Sequence, residues 1–154
     1  MNPKFLIRLN ATPMAAWLRS MHSALYRVSG GRIGGRTFGC DTFLLTTTGA
    51  KSGKPRTAPL LYLRDAERLV VVASNAGSPA HPAWFVNLSK HPDATVQIGR
   101  EVTKVRARKA NDQEKARLWP RLTKFYEGYE VYQEYTKREI PVVILELDPT
   151  RRSA

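Results

Sequence analysis

The chain has 154 residues, which fits a single domain, and its 42% apolar and 25% charged residues are ordinary for a globular protein. Its one cysteine excludes an internal disulfide framework and a cysteine-based zinc site. The formal net charge is +12, and the first sixty residues hold nine cations against the carboxylate of Asp41 alone, a surplus of eight. Such a charge attracts anionic ligands, nucleic acid or anionic lipid without selecting among them.

The first predicted element is an amphipathic helix. Thr12-Pro13 is typical of a helix start, and Gly30-Gly31 predicts its end. Apolar residues recur at helical spacing and form one face: Met14, Trp17, Leu18, Met21, Leu25 and Val28. This face could pack on the rest of the protein or on a second subunit, or it could lie on a membrane surface. An amphipathic period by itself is more typical of ordinary packing.

Six strands and three further helices follow a basic, glycine-rich linker at 30–39, which we expect to be mobile. The strands are predicted at 43–48, 57–64, 68–74, 95–98, 103–108 and 142–147. The helices are predicted from near Pro82 to the His91-Pro92 break, from a capping box of Asn111 and Glu114 to about Tyr126, and over 128–137.

This order lacks a βαβ rhythm and indicates a mainly β fold with helices, a mostly antiparallel barrel preceded by a helix. We expect an N-terminal segment at 1–39, a barrel domain at 40–148 and a tail at 149–154. No apolar run approaches the ~18 residues of a membrane span, and the N-terminus lacks a convincing signal-peptide cleavage site.

The most informative stretch is 43–56, a buried strand that runs into a tight loop. Gly49 and Gly53 let the backbone turn closely. The cations of this loop are Lys51, Lys54 and Arg56. A Walker A loop is excluded, because three residues rather than four separate the glycines and Pro55 follows Lys54. The loop therefore predicts a site for another kind of anionic ligand.

Several fragments in order carry a family resemblance. They are Thr-Thr-Thr-Gly-x-Lys-Ser-Gly-x-Pro-Arg at 46–56, Val-Ala-Ser-Asn-x-Gly at 72–77, His-Pro-Ala-Trp-Phe-x-Asn-Leu at 81–88, Leu-Trp-Pro at 118–120, Tyr-x-x-Tyr-x-x-Tyr from 126, and Arg-Glu-Ile-Pro-Val-Val at 138–143. Over roughly 40–148 the chain resembles the deazaflavin-dependent nitroreductase family of actinobacteria. The resemblance implies a split β-barrel and the coenzyme F420, an 8-hydroxy-5-deazaflavin with a polyglutamate tail. It also implies hydride transfer from reduced F420 to a quinone, nitroaromatic or activated enone.

The resemblance also implies where the cofactor binds. Lys51, Ser52 and Arg56 would bind the phosphate and the glutamate tail, with Lys54 as a looser neighbour. Pro59 within a strand pattern indicates an edge or a bulge, and the resemblance places it beside the ring. The other residues expected around the ring system are Leu60, Leu61, Ala73, Ser74, Asn75, Ala83, Trp84 and Asn87. Asn75 stands where some relatives carry a basic residue, and Trp84 could equally pack in the core.

Tyrosines recur every three residues from Tyr126 to Tyr135, a pattern whose ordinary meaning is a core or lid stripe. The resemblance implies that three of them line the substrate pocket: Tyr126, Tyr129 and Tyr132. Ser74 and Tyr129 are then the candidate catalytic residues, because their hydroxyls could hydrogen-bond the acceptor or protonate it. We expect no metal site, since no metal-binding spacing of histidines is present.

Two other functions stay open. A related split barrel could bind FMN, whose compact phosphate needs a cluster around one point. The charge also suits a basic nucleic-acid-binding module, although no helix-turn-helix, zinc-finger or RNA-recognition signature is present. A homodimer and a peripheral membrane contact through the N-terminal helix are open alternatives for partners. The expected location is the cytoplasm or the inner face of the cell membrane.

Overall fold

The computed structural model describes Arg8 and residues 12–152, of which 149–152 contribute backbone only, so parts of the predicted segments 1–39 and 149–154 lie outside it. The strands are β1 Arg36–Thr37, β2 Cys40–Thr48, β3 Pro55–Leu61, β4 Leu63–Asp65, β5 Arg68–Val72, β6 Asp93–Ile98, β7 Glu101–Lys109 and β8 Val142–Arg152. The helices are α1 Pro13–Ser29, α2 Ala83–Lys90, α3 Asp112–Phe125 and α4 Gly128–Tyr135, with a 3₁₀ turn η1 at Asn75–Gly77.

All strand pairs are antiparallel, and the order is β1-β2-β6-β7-β8-β5-β4, with β3 paired to β2. The expected antiparallel split barrel is confirmed. In the described part of the chain, eight strands replace the predicted six for two reasons. A short strand, β1, adds to β2, and the strand predicted at 57–64 divides at Tyr62, whose N–H donates to the Asp41 carbonyl at 3.1 Å. β3 therefore stays with β2 while β4 pairs with β5.

β5 and β8 are buried on both faces, because successive side chains of a strand point to opposite sides. Leu69 and Val71 of β5 face the barrel core, together with residues of β2, β6 and α2. Val70 and Val72 face a second core under α3 and α4. The second core, on the side of β5 away from the barrel core, also holds the tyrosines.

The predicted ends of α1 are confirmed, but its apolar face points outward. Thr12 Oγ1 accepts the Ala15 N–H at 3.2 Å, and Gly30 ends the helix with φ 61°. The buried residues of the helix are Ser23 and Tyr26, and the Tyr26 hydroxyl accepts the Gly99 N–H at 2.9 Å. The predicted apolar residues are all exposed, by 41% to 86%: Met14, Trp17, Leu18, Met21, Leu25 and Val28. The face does not pack on the protein's own sheet, because the polar side of the helix takes that place.

The segment 30–39 is tied to its neighbours. His22 Nε2 lies 2.9 Å from the Gly34 carbonyl, the Gly31 N–H donates to the Tyr26 carbonyl, and β1 pairs with β2. This predicted linker therefore connects α1 to the sheet through a hydrogen-bonded turn. The predicted capping box of α3 is confirmed, since Asn111 Oδ1 accepts the Glu114 N–H at 2.8 Å and the Glu114 side chain accepts the Asn111 N–H.

Candidate functional site

A cavity of about 800 Å³ opens between the β2–β3 hairpin, the β5–α2 connection and α1. Its lining residues are Arg19, Thr47, Gly49, Ala50, Lys51, Ser52, Arg56, Thr57, Ala58, Pro59, Leu60, Val72, Ser74, Asn75, Ala76, Pro82, Ala83, Trp84, Val86 and Asn87. One part of this wall is apolar and another carries three cations, and the lining includes no carboxylate. The cavity therefore offers a surface for a flat apolar group next to one for an anion.

The β2–β3 loop folds as the glycines predicted. The Gly49 N–H donates to the Lys54 carbonyl at 2.8 Å, and the Gly53 N–H donates to the Gly49 carbonyl at 2.9 Å with Gly53 at φ 68°. Ser52 Oγ accepts the Lys54 N–H at 3.2 Å. The side chains of Lys51, Lys54 and Arg56 in this loop are exposed. Within the described part of the chain, none of these three pairs with a carboxylate. Their charge is available to a ligand.

Helix α2 holds this loop in place. Asn87 is buried, its Oδ1 accepts the Ala50 N–H at 2.9 Å, and its Nδ2 donates to Thr47 Oγ1 at 3.0 Å. Lys90 Nζ donates to the Ala50 carbonyl at 2.7 Å. Sequence reasoning placed Asn87 at the site but missed Thr47, Ala50 and Lys90, because contacts between residues so far apart along the chain leave no local signal.

The apolar wall is built from β3 and α2. Pro59 sits opposite Leu44 in β3, which pairs with β2 alone, so the edge position predicted for this proline is confirmed. Trp84 is 8% exposed, packs in the barrel core and also borders the cavity. Both roles expected for Trp84 are therefore compatible with its position.

Ser74 enters the cavity from the turn after β5. The residue is 9% exposed, and its hydroxyl has no hydrogen-bond partner in the described part of the chain. Asn75 and Ala76 follow with φ of 45° and 53°, a left-handed conformation that non-glycine residues adopt at a cost. The Ser74 carbonyl accepts the Gly77 N–H at 2.9 Å. A strained turn thus presents a free hydroxyl to the cavity.

Not every predicted site residue lies at this cavity. Lys54, Leu61 and Ala73 do not border it, whereas the other predicted cofactor residues do. Lys54 is exposed on the loop, and Ala73 is fully buried in the barrel core.

The tyrosines lie in the second core, outside the cavity lining. Tyr129 is 5% exposed, its ring stands edge-on to Tyr126 at 5.0 Å, and the Tyr126 and Tyr132 hydroxyls are 3.1 Å apart. Burial raises the pKa of Tyr129 and of Tyr126 well above the ordinary value. Helix α4 packs against η1, so the tyrosines adjoin the Ser74 turn from behind. Their assignment to the substrate pocket stays a prediction.

Helix α1 contributes cavity residues that sequence reasoning missed. Arg19 borders the cavity, and Arg27 Nη2 donates to Thr57 Oγ1 of β3 at 2.8 Å. Arg19, Ser23 and Arg27 are spaced by four residues and share the inward face. The recurrence of polar residues at helical spacing, on the face opposite the apolar stripe, is the sequence signal that could have identified this inward face.

Comparison with known proteins identifies relatives over most of the chain. Residues 17–147 match the sequence profile described as F420H(2)-dependent quinone reductase. The F420H(2)-dependent quinone reductase Rv1261c of Mycobacterium tuberculosis (strain ATCC 25618 / H37Rv) is 41% identical over 132 residues, which are 83% of this chain and 89% of that protein.

Two examples represent the solved structures that are similar to this chain. One is an F420-H2 dependent reductase, FDR-A, with 40% identity, a TM-score of 0.63, and coverage of 68% of this chain and 93% of that one. The other is described as a domain-swapped dimer, with 33% identity, a TM-score of 0.64, and coverage of 86% and 98%.

Proposed function

This chain belongs to the F420H(2)-dependent quinone reductase family. We propose that it reduces a quinone with F420H2 in the cavity between Ser74 and the β2–β3 loop, which carries Lys51. The family resemblance, the cofactor F420 and the enzyme class, a deazaflavin-dependent oxidoreductase, are confirmed by this membership. The FMN-binding and nucleic-acid-binding alternatives are set aside accordingly.

One observation carries the placement of the cofactor. Lys51 and Arg56 border a cavity whose lining has no carboxylate, and neither pairs with one elsewhere in the residues that the structure describes. A phosphodiester and a chain of glutamates supply the negative charges that such unpaired cations attract. Arg19 of α1 also borders this cavity. The residues present therefore fit the anionic portion of F420.

The apolar wall fits the remainder of the cofactor. Pro59 and Leu60 of edge strand β3 border the cavity, as do Ala83 and Trp84 of α2. A flat ring system between these elements would displace water and be held close to Ser74, and positioning of reactants in this way is a large source of rate enhancement.

The chain's own groups then perform the remaining tasks. F420H2, when bound, supplies the hydride. The Ser74 hydroxyl, which has no partner in the described chain, would donate a hydrogen bond to an acceptor oxygen and stabilise the charge that develops there. Trp84 and Pro59 would exclude water from the reacting centres. We retain Tyr129 as the candidate proton donor, since α4 packs on the turn that follows Ser74.

The direct test mixes purified protein with F420H2 and menadione and follows the recovery of the oxidised cofactor's absorbance. We expect turnover that requires both protein and quinone, and a higher kcat/KM for quinones than for nitroaromatics or enones. Ser74→Ala should lower kcat about tenfold or more with little change in F420 affinity. Tight F420 binding without turnover of any acceptor would reject the enzymatic proposal.

We also propose that the exposed stripe of α1 adsorbs to anionic membrane. The stripe is the set of outward apolar residues from Met14 to Val28, and the chain that carries it has a net charge of +12. A quinone acceptor that dissolves in lipid would then be within reach of the cavity, whose wall α1 forms through Arg19. Among the described residues, no helix is both long and apolar enough to cross a bilayer, so the contact would be peripheral. Self-association is the competing use of this face, since one structural relative is a domain-swapped dimer.

A further inference from the structure

Arg138, between α4 and β8, binds the backbone of the turn that carries Ser74. Its Nη2 donates to the Ser74 carbonyl at 2.8 Å and to the Ala73 carbonyl at 3.2 Å. Its Nε donates to the Ser78 carbonyl at 2.9 Å. One planar guanidinium thus joins both ends of the turn that contains η1. Arg138 itself does not border the cavity, so any effect on chemistry must pass through the turn.

Partial burial of the charged Arg138 side chain carries a desolvation cost. Its side chain is half-buried, desolvation lowers its pKa, and no carboxylate contacts it in the described part of the chain. Its partners in the described chain are neutral acceptors: three backbone carbonyls and a histidine ring nitrogen. His81 Nδ1 lies 3.3 Å from Arg138 Nη1, and because a guanidinium only donates, this ring nitrogen must be the acceptor of a neutral imidazole. Burial and the Arg138 charge accordingly lower the pKa of His81.

The turn needs such a support because it is strained. Asn75 and Ala76 both have positive φ, a conformation that non-glycine residues adopt at a cost in free energy. Strained conformations persist only where surrounding contacts fix them. Asn75 Nδ2 donates to the Ala80 carbonyl at 3.0 Å, a contact within the turn itself. The contacts of Arg138 come from outside the turn and hold both of its sides, through Ala73 and Ser74 before the strained pair and Ser78 beyond it.

We propose that Arg138 is a positioning residue that holds the Ser74 turn in its strained form and thereby keeps the Ser74 hydroxyl in the cavity. This inference rests on the proposed function only for its kinetic consequence; the structural consequence stands without it. The planar fork is essential, since a single ammonium cannot reach carbonyls at both ends of the turn.

The structural test is hydrogen exchange of the Gly77 and Ser78 amides, which donate to the Ser74 and Asn75 carbonyls at 2.9 and 3.0 Å. In Arg138→Gln both amides should exchange about tenfold faster or more, while the Gly53 amide of the β2–β3 loop should be unchanged. Unchanged exchange at Gly77 and Ser78 overturns the inference, whether or not the protein proves to be a quinone reductase.

The kinetic test is a double-mutant cycle between Arg138→Gln and Ser74→Ala with F420H2 and menadione. If Arg138 acts through Ser74, Arg138→Gln should lower kcat about tenfold in the wild type but less than about threefold in the Ser74→Ala background. Effects that multiply independently overturn the positioning role. Inactive wild-type protein would instead refute the proposed function and leave the exchange result to decide this inference.

Two further variants control for loss of folding. Arg106→Gln removes an exposed arginine of β7 that pairs with Asp93 at 2.9 Å, and it should leave kcat and the exchange of both amides unchanged. Arg138→Lys keeps the charge without the fork and should show most of the Arg138→Gln effect. If Arg138→Gln does not fold, the same cycle with Arg138→Lys decides, and full wild-type kcat in Arg138→Lys overturns the inference.

Discussion

The side-chain carbonyl of Asn87 accepts the backbone N–H of Ala50 at 2.9 Å. This hydrogen bond connects helix α2 to the cation loop, which is the β2–β3 loop with its lysines and Arg56. The same side chain donates to Thr47 at the end of β2, so one buried amide spans the base of the loop. The protein's own contacts therefore order the loop before a ligand binds. Binding then does not carry the entropic cost of ordering this loop.

Asn87→Ala should weaken cofactor binding through the loop. The substitution leaves the Ala50 N–H and the Thr47 hydroxyl without their partner, which should reduce the free energy of unfolding by about 1–3 kcal/mol. Affinity for F420 should fall several-fold, whereas a deazaflavin without phosphate and glutamates should lose little. Ser89→Ala, which removes a hydroxyl bonded only within the same helix, is the matched control. Equal losses for both ligands would show that Asn87 acts on the ring instead.

Neutralising the loop charge should weaken binding more strongly. In Lys51→Gln/Arg56→Gln, we expect F420 affinity to fall about tenfold per charge, because each cation would lose a charge-assisted hydrogen bond. The dependence of affinity on salt should also flatten. Fluorescence titration at several ionic strengths measures both effects. Lys104→Gln, which removes an exposed cation on β7, should change neither. F420 affinity that is unchanged in the double variant would remove the basis of the site assignment.

Tyr129→Phe gives a clean test of the predicted proton donor. The Tyr129 hydroxyl has no hydrogen-bond partner in the part of the chain that the structure describes, so its removal should leave the thermal midpoint almost unchanged. If the hydroxyl protonates the acceptor, kcat should fall about tenfold or more while F420 affinity is retained. Stopped-flow turnover with menadione measures this change. A fully active variant would leave Tyr129 with a packing role only.

How much of this site could be predicted depended on the range of the contacts. Thr12, Gly30 and the Asn111 capping box are local signals. In the structure, α1 begins after Thr12 and ends before Gly30, and α3 begins after Asn111, as these signals predict. The glycine spacing of the cation loop likewise reflects a turn that closes within a few residues. The outward stripe of α1 was beyond reach, because helical periodicity marks a face without showing what covers it. The contact between Asn87 and Ala50 depends on chain topology, and neither residue type indicates it.

Acid should unfold the protein partly through Asp65. This buried carboxylate accepts from Arg68, Arg117 and Arg121, and their hydrogen bonds hold its pKa far below the ordinary range. A lowered folded-state pKa means that the unfolded state binds more protons, so the stabilisation is complete above the unfolded value of ~3.9 and is lost as pH falls further. Arg108 and the Asn111 N–H likewise lower the pKa of Glu114 to about 2.

Urea unfolding from pH 7 to pH 2 measures this effect. Wild-type stability should fall below pH ~4, and Asp65→Asn should show a flatter profile with a stability about 3 kcal/mol lower at pH 7. Asp93→Asn, at an exposed pair with Arg106, should change stability by less than about 1 kcal/mol. Equal effects of the two substitutions would contradict the importance assigned to the buried carboxylate.

Charged substitutions in the stripe should release the protein from anionic vesicles. Trp17 and Leu18 are 63% and 47% exposed, so Trp17→Glu/Leu18→Glu should fold normally and sediment much less with such vesicles. Activity on soluble acceptors should be retained. Val102→Glu alters an apolar residue on β7 that is 43% exposed, and this variant should sediment as the wild type does. Unchanged sedimentation, with a concentration-dependent dimer lost in the double variant, would assign the stripe to self-association.

Helix α1 presents its stripe outward while Arg19 on its other side forms part of the cavity wall and Arg27 tethers it to β3. Where one ligand changes a protein's affinity for a second, the second changes the affinity for the first by the same factor. If adsorption to the membrane orders α1 and thereby raises the affinity for F420H2, bound F420H2 would raise the affinity for the membrane in turn. Protein with bound cofactor would then adsorb to the lipid surface in preference to protein without it. The reductant would arrive where its hydrophobic oxidant is dissolved.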